Sequence, residues 1–315
     1  MFSVKLFSAR FCPTIFRRMK ISIIGVGRLG GALALALAKR NYKIENLVSR
    51  IGNAENARKI SELIEPQQPR MLDASEFSEI ASDIIFISTQ DAEIEAVAKG
   101  LAHDLKNKPF VFHTSGSLSS DVLSQLKKIG CPVGSLHPLI SISDSVVGAR
   151  KFEDAFFCVE GDARAVETAM EIVKNLGGKS FSIETRFKTL YHAAAVTASG
   201  HLVALIDVAL EMLAKCDLPE AAAREVLLPL VKSTLENLET QTTKRALTGT
   251  FARGDAETLT RQIETLRENV SIDALEVFLQ LGLRSLHLAR RQKSVEAQKL
   301  DAMSETLRLA KKNIK

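Results

Sequence analysis

Tryptophan is absent from the 315 residues and tyrosine occurs twice, so the aromatic platforms on which nucleic-acid bases stack are missing. The four cysteines, Cys12, Cys131, Cys158 and Cys216, show no C-x-x-C spacing. Scattered thiols of this kind suit a reducing compartment and argue against a disulfide frame or a thiolate metal site. The six histidines form no H-x-x-x-H pair, and no metal is expected. The G-x-S-x-G elbow of serine hydrolases is also missing. No uninterrupted apolar run reaches 18 residues. The longest candidate, 193–213, is broken by His201, Asp207 and Glu211 and reads as a core helix.

The net charge of +5 is local. Lys5, Arg10, Arg17, Arg18 and Lys20 carry it with no acid among them, and residues 21–315 are neutral overall. Residues 1–18 therefore read as a leader. They are either a mitochondrial transit peptide, from their Arg, Ser and amphipathic content, or an extension ahead of a native start at Met19. A cytoplasmic location follows from the second reading and a mitochondrial matrix location from the first.

What is present begins at Lys20. The β-branched run Ile21, Ile23 and Ile24 stops at Gly25, Gly27 and Gly30 complete G-x-G-x-x-G, and an Ala/Leu run follows to Ala38. In a dinucleotide site the first glycine makes the strand-to-helix turn and the second lets a pyrophosphate approach the backbone. The third allows close helix–strand packing. The helix start adds free N–H groups and a positive dipole end. Gly25, Val26, Gly27, Arg28, Leu29 and Gly30 are the expected cofactor loop. At the end of the next strand stand Ser49 and Arg50 where an acid would select NAD. A guanidinium there suits a 2′-phosphate, so NADP(H) is expected, with Arg28 as a second cation.

Further along, strand and helix patterns alternate up to about residue 184, predicting a doubly wound parallel Rossmann sheet over 19–184. Past Thr185 the chain reads as wholly helical, a second domain of residues 185–315. Polar motifs fall at strand ends, where open α/β sheets bind ligands: Thr89 and Gln90, His113 to Gly116, and His137. Of the histidines, His113 reads as a buried structural group, while Ser115 and His137 are candidates for catalysis. One helix carries Lys188, Tyr191, His192, Thr197 and Ser199 among small apolar residues, with His192 and Ser199 on one face. A loop, 247–255, offers Thr248 and Arg253, the latter a clamp for a carboxylate, and Asp255 as the N-cap of the next helix.

Together, in this order, the glycine motif, His-Thr-Ser-Gly at 113–116, Ser-Leu-His-Pro-Leu at 135–139, Tyr-His-Ala-Ala-Ala at 191–195 and Leu-Thr-Gly…Arg-Gly-Asp at 247–255 resemble one family. It comprises Rossmann-like NADP-dependent oxidoreductases with a helical C-terminal domain long of unassigned function. The family is akin to pyrroline-5-carboxylate reductase and the 6-phosphogluconate dehydrogenase superfamily, and includes alternative ketopantoate reductases. The chain departs from its pattern at Ser199-Gly200, where Ser-Asn is expected, and at Thr248-Gly249-Thr250, where Thr-Gly-Pro is expected.

The resemblance implies hydride transfer from NADPH to a small 2-oxo or imino acid, ketopantoate foremost, in a cleft between two domains. Pyrroline-5-carboxylate and a prephenate-like acid are the runner-up substrates. It implies His192 or His137 as general acid, Ser115 orienting the carbonyl, and Arg253, Ser199 and Thr248 at the substrate. It also implies a homodimer built through the helical domain, with neither nucleic acid nor membrane as partner. The competing class is a non-enzymatic NADP(H)-binding regulator, since a fold alone fixes no activity.

Overall fold

The computed structural model describes residues 19–49 and 54–314. They form two compact units that divide between Ser199 and Gly200. In the first unit the strands are β1 (Lys20–Ile24), β2 (Lys43–Val48), β3 (Arg70–Leu72), β4 (Ile84–Ile87), β5 (Phe110–His113), β6 (Val133–Pro138), β7 (Phe156–Gly161) and β8 (Lys179–Phe181). The helices are α1 (Arg28–Lys39), α2 (Ala54–Leu63), α3 (Asp91–Asp104), α4 (Ser124–Lys128), α5 (Ser145–Gly148), α6 (Ala163–Asn175) and α7 (Lys188–Ala198).

All eight strands form one sheet in the order β3-β2-β1-β4-β5-β6-β7-β8. The order reverses between β1 and β4, the switch point at which such sheets bind ligands. Burial on both faces explains the near-continuous apolar strands. Ile84 and Phe86 pack on the face that holds Leu33, Leu37 and Ile172, while Ile85 and Ile87 pack on the other with Ile94 and Leu101. This is the period-two alternation of a pleated strand.

The expected Rossmann sheet is present, with two departures. One is β3, a three-residue edge strand that follows Pro66 and Pro69, residues that mark a loop in the sequence but are tolerated beside an edge strand. Also, β7 pairs antiparallel with β6, and β8 runs parallel to β7. A parallel return needs a crossover helix of a dozen or so residues. Between β6 and β7 there is only the four-residue α5, so the chain turns back, whereas α6 supplies a full crossover to β8.

The second unit contains α8 (Gly200–Ala214), α9 (Glu220–Thr240), α10 (Thr243–Ala246), α11 (Gly249–Arg253), α12 (Ala256–Asn269), α13 (Ile272–Gln292) and α14 (Ala297–Lys312). Its core is Leu259 and Ile263 of α12, Leu279 and Leu286 of α13, and Leu300, Met303 and Leu307 of α14. Asp255 caps α12 as expected, accepting from the Thr258 N–H at 3.0 Å.

The expected core helix over 193–213 is a correction. The segment breaks at Ser199 into α7 and α8, and α8 buries no residue. The stretch Thr185–Ala214 reaches a mean hydropathy of 1.7 with none of that window buried, so by length and composition it is apolar enough to cross a membrane. Hydropathy identified an apolar helix; it could not say what covers it. Glu211 on α8 is nonetheless tied within its unit, accepting from the Ser271 N–H at 2.7 Å and from the Ser271 hydroxyl at 3.0 Å.

The two compact units also meet later than the change of pattern at 184–186. That change marks where strands end, and α7 stays with the sheet because Lys188 is buried against the ends of β5 and β6.

Candidate active site

The glycine turn is built as its spacing requires. Gly25 has φ +91°, and a Cβ there would lie 2.7 Å from the Ser88 carbonyl carbon and the Thr89 nitrogen. A Cβ on Gly30 would sit 2.0 Å from the Gly25 oxygen, so α1 can approach the turn only with hydrogen at that position. Gly27 differs, since a Cβ there would meet nothing within 4 Å. The space beside it is free for a ligand. Gly27 is the N-cap of α1 without a side-chain cap, and no acid stands in the first turn, leaving the helix N–H groups and dipole to act on an anion.

A cleft of about 810 Å³ opens there, along the carboxyl ends of β1, β2 and β4. Gly25, Val26, Gly27, Ser49, Thr89 and Gln90 line it, as expected of cofactor-binding residues. Thr89 Oγ1 is buried without a partner, an orphaned polar atom at the cleft wall. Arg28 and Leu29 open α1 with Arg28 exposed, and Gly30 is buried behind the turn. Arg50 lies outside the described residues. The open side of Gly27, the uncapped helix start and the Thr89 hydroxyl fit a dinucleotide pyrophosphate and ribose.

From this cleft a chain of contacts leads to the next strand ends. Ser88, also in the lining, shares a hydrogen bond of 2.9 Å with the Thr114 hydroxyl just past β5. Ser115 follows, and its carbonyl accepts from Lys188 Nζ at 3.3 Å, while the Ser135 hydroxyl accepts from the same ammonium at 2.8 Å. Lys188 is 1% exposed. Burial pushes its ammonium below the ordinary lysine range, opposed in part by Cys158, Glu160 and Asp91.

One helical turn on, Tyr191 shares a hydrogen bond of 2.8 Å with His137 Nδ1. The His137 and His192 rings meet edge to face with centroids 5.8 Å apart. Both press on Gly116, where a Cβ would be 2.5 Å from His192 Nδ1 and 2.8 Å from His137 Nε2. His192 Nδ1 is buried and unpartnered.

The predicted residues therefore separate. Ser115, His137 and His192 are brought into one cluster. The Ser115 hydroxyl accepts from the Ser117 and Leu118 N–H groups, keeping its own hydrogen to donate. Ser199 is exposed at the C-cap of α7. Thr248 and Arg253 line a cavity of about 600 Å³ within the second unit, together with Lys244 and Arg245. Lys188 and Tyr191, to which the sequence assigns no role beyond a polar position, lie at the centre of the cluster. Their signal in the sequence is the spacing i, i+3, i+4 with His192, which sets three polar side chains on one helical face.

Electrostatics divides the histidines. Burial, then the charge on Lys188, pushes His137 down from 6.5 to about 3, and burial and Lys188 do the same to His113, which is fully buried as expected. At neutral pH both are uncharged imidazoles, so His137 cannot serve as an imidazolium acid. A stability consequence follows. Below pH 6.5 the unfolded chain binds protons that the folded chain refuses until about pH 3, so stability falls as pH drops through that window. The expected loss approaches about 1.4 kcal/mol per pH unit for each histidine. Chemical denaturation at stepped pH should show it, and His113→Asn should reduce the slope; an unchanged slope would contradict the assignment.

Two family models match the chain. A Rossmann-like domain covers residues 13–138, and the domain of unknown function DUF2520 covers residues 155–284. No curated protein matches it. Among solved structures, BF3122 of Bacteroides fragilis, described as a candidate NADP oxidoreductase, aligns at 21% identity and a TM-score of 0.71, covering 86% of this chain and 99% of that one. Protein TM1727 of Thermotoga maritima aligns at 26% identity with a TM-score of 0.65, covering 87% and 99%. Pyrroline carboxylate reductase of Plasmodium falciparum, solved with NADP bound, aligns at 15% identity and 0.57, covering 92% and 99%. The two models follow one another along most of the chain, which is thus similar in sequence to a Rossmann-like domain followed by DUF2520, the latter taking in β7, α6 and β8 as well as helices of the second unit.

Proposed function

We propose that this protein is an NADP(H)-dependent oxidoreductase acting on a small 2-oxo or imino carboxylic acid, with a ketopantoate-like acid as the preferred substrate. The observation that carries this reading is the run of contacts, within one unit, from the glycine-lined cleft through Ser88 and Thr114 to the imidazole cluster at the ends of β5 and β6. An inert nucleotide binder needs the cleft but has no use for the cluster.

Bound NADPH would supply the hydride, and the protein's own part is position and a proton. Gly25, Gly27 and the start of α1 hold the pyrophosphate. Thr89 and Gln90 take the ribose on the nicotinamide side, and Ser49 and Arg50 the 2′-phosphate. Ser115 orients the carbonyl, and His192 delivers the proton to the oxygen or nitrogen that accepts the hydride at its carbon. Ser199, Thr248 and Arg253 are the substrate-binding candidates, and the cationic lining that Arg253 shares with Lys244 and Arg245 within the second unit supports an anionic ligand.

The working form is a homodimer without nucleic acid or membrane partners, in the cytoplasm, or in the mitochondrial matrix if residues 1–18 are a transit peptide. Val203, Leu205, Val226 and Leu230 on the neighbouring helices α8 and α9 are exposed, and large apolar side chains left in the open ask for cover. Asp207 and Glu211 on α8 favour a protein over a lipid as that cover, since intramembrane carboxylates are costly.

Cofactor choice tests the reading. NADPH is expected to bind at least about tenfold more tightly than NADH, worth about 1.4 kcal/mol, and Arg50→Asp is expected to erase or invert the ratio. Fluorescence titration of both nucleotides measures it, and equal affinities in the unaltered protein would overturn it.

A further inference from the structure

Lys188 is a buried cation with no carboxylate within ion-pair distance among the described residues. Its hydrogens go to the Ser135 hydroxyl and the Ser115 carbonyl, and Nζ stands 6.0 Å from the centre of the Tyr191 ring. At 1% exposure it cannot itself reach a substrate. Removing a lone charge from water is costly, so what this one does for the site needs an explanation.

The answer lies in its neighbours. Burial raises the Tyr191 phenol above its ordinary value, so it keeps its hydrogen and is able to donate to His137 Nδ1, 2.8 Å away. An imidazole that accepts at Nδ1 and is uncharged must carry its proton on Nε2. That nitrogen presses on Gly116, beside the unpartnered Nδ1 of His192. The groups facing His137 are Lys188, Tyr191 and His192 of α7, His113 of the adjacent β5, and Cys158, its register partner on β7. Among these Lys188 is the charged one, and its sign opposes a second cation on the ring.

We propose that Lys188 and Tyr191 are positioning residues that fix His137 as an uncharged Nε2–H donor to the substrate carbonyl oxygen, leaving His192 to deliver the proton. The inference rests on the reading of this cluster as the carbonyl-reducing site. It assigns the two strand-end and helix histidines different duties.

Nitrogen NMR of the full chain with labelled histidine tests it without a known substrate. His137 is expected to show an unprotonated Nδ1 and a protonated Nε2 at neutral pH and below, through the range where a free histidine titrates. Tyr191→Phe removes the donor and is expected to shift the tautomer ratio toward Nδ1–H by at least about tenfold. Lys188→Met is expected to raise the protonated fraction of His137 at a given pH by about tenfold or more, and Lys188→Arg to restore it. If Lys188→Met does not fold, Tyr191→Phe decides alone. A proton on Nδ1 in the unaltered protein, with NADPH still bound, overturns this inference and leaves the cofactor reading standing. The expected tautomer with no NADPH binding overturns the cofactor reading instead.

Discussion

Replacing His192 by alanine is expected to lower kcat by about 10² or more, with NADPH affinity unchanged, once a substrate is in hand. A positioned general acid contributes about this much, equivalent to some 2.7 kcal/mol of barrier. The expectation falls on His192 because the site leaves it the role: His137 is held uncharged and tied to Tyr191, whereas the buried Nδ1 of His192 has no partner. The cofactor cleft is lined by other residues, so binding should be spared. Steady-state kinetics beside a nucleotide titration separates the two effects. Unaltered turnover in His192→Ala would remove it as proton donor.

Gly30→Ala is expected to weaken NADPH binding by at least about 100-fold and to destabilise the first unit by about 1–3 kcal/mol, the range for overpacking a tight contact. The new methyl would stand 2.0 Å from the Gly25 oxygen, and both atoms belong to backbone that also shapes the turn. Something must move, and the cradle moves with it. Gly27→Ala makes the contrast. Its methyl meets no protein atom within 4 Å, so stability should change by less than about 1 kcal/mol while affinity drops about tenfold or more. Loss of affinity without loss of stability is the mark of a ligand occupying that space. Denaturation midpoints and titrations of both variants check it; equal effects on stability would contradict the assignment.

The strand–turn–helix of β1 and α1 was legible because each glycine answers a local steric demand. The reversal at β7 was not, because strand direction depends on how much chain separates two strands, and a one-turn helix looks like an ordinary loop. The short β3 was hidden by its prolines. The apolar segment at α7 and α8 was read correctly as helix and wrongly as buried, since hydropathy carries no record of what covers a surface. In the site, Ser115, His137 and His192 could be picked out from their places at strand ends and among small helical residues. Lys188 stood out less, because a lysine near a helix start looks like a solvated charge. Its role depends on Ser115 and Ser135, more than fifty positions earlier, closing over it.

A reductase needs the cleft and the cluster to work together. The most direct measurement is NADPH consumption by the full chain against a panel of 2-oxo acids and cyclic imino acids, starting with ketopantoate, with His192→Ala in parallel. The unaltered protein is expected to turn over at least one member, and the variant to do so about a hundredfold more slowly. Tight NADPH binding with no turnover of any member, and no difference between protein and variant, would contradict it and favour a nucleotide-binding regulator.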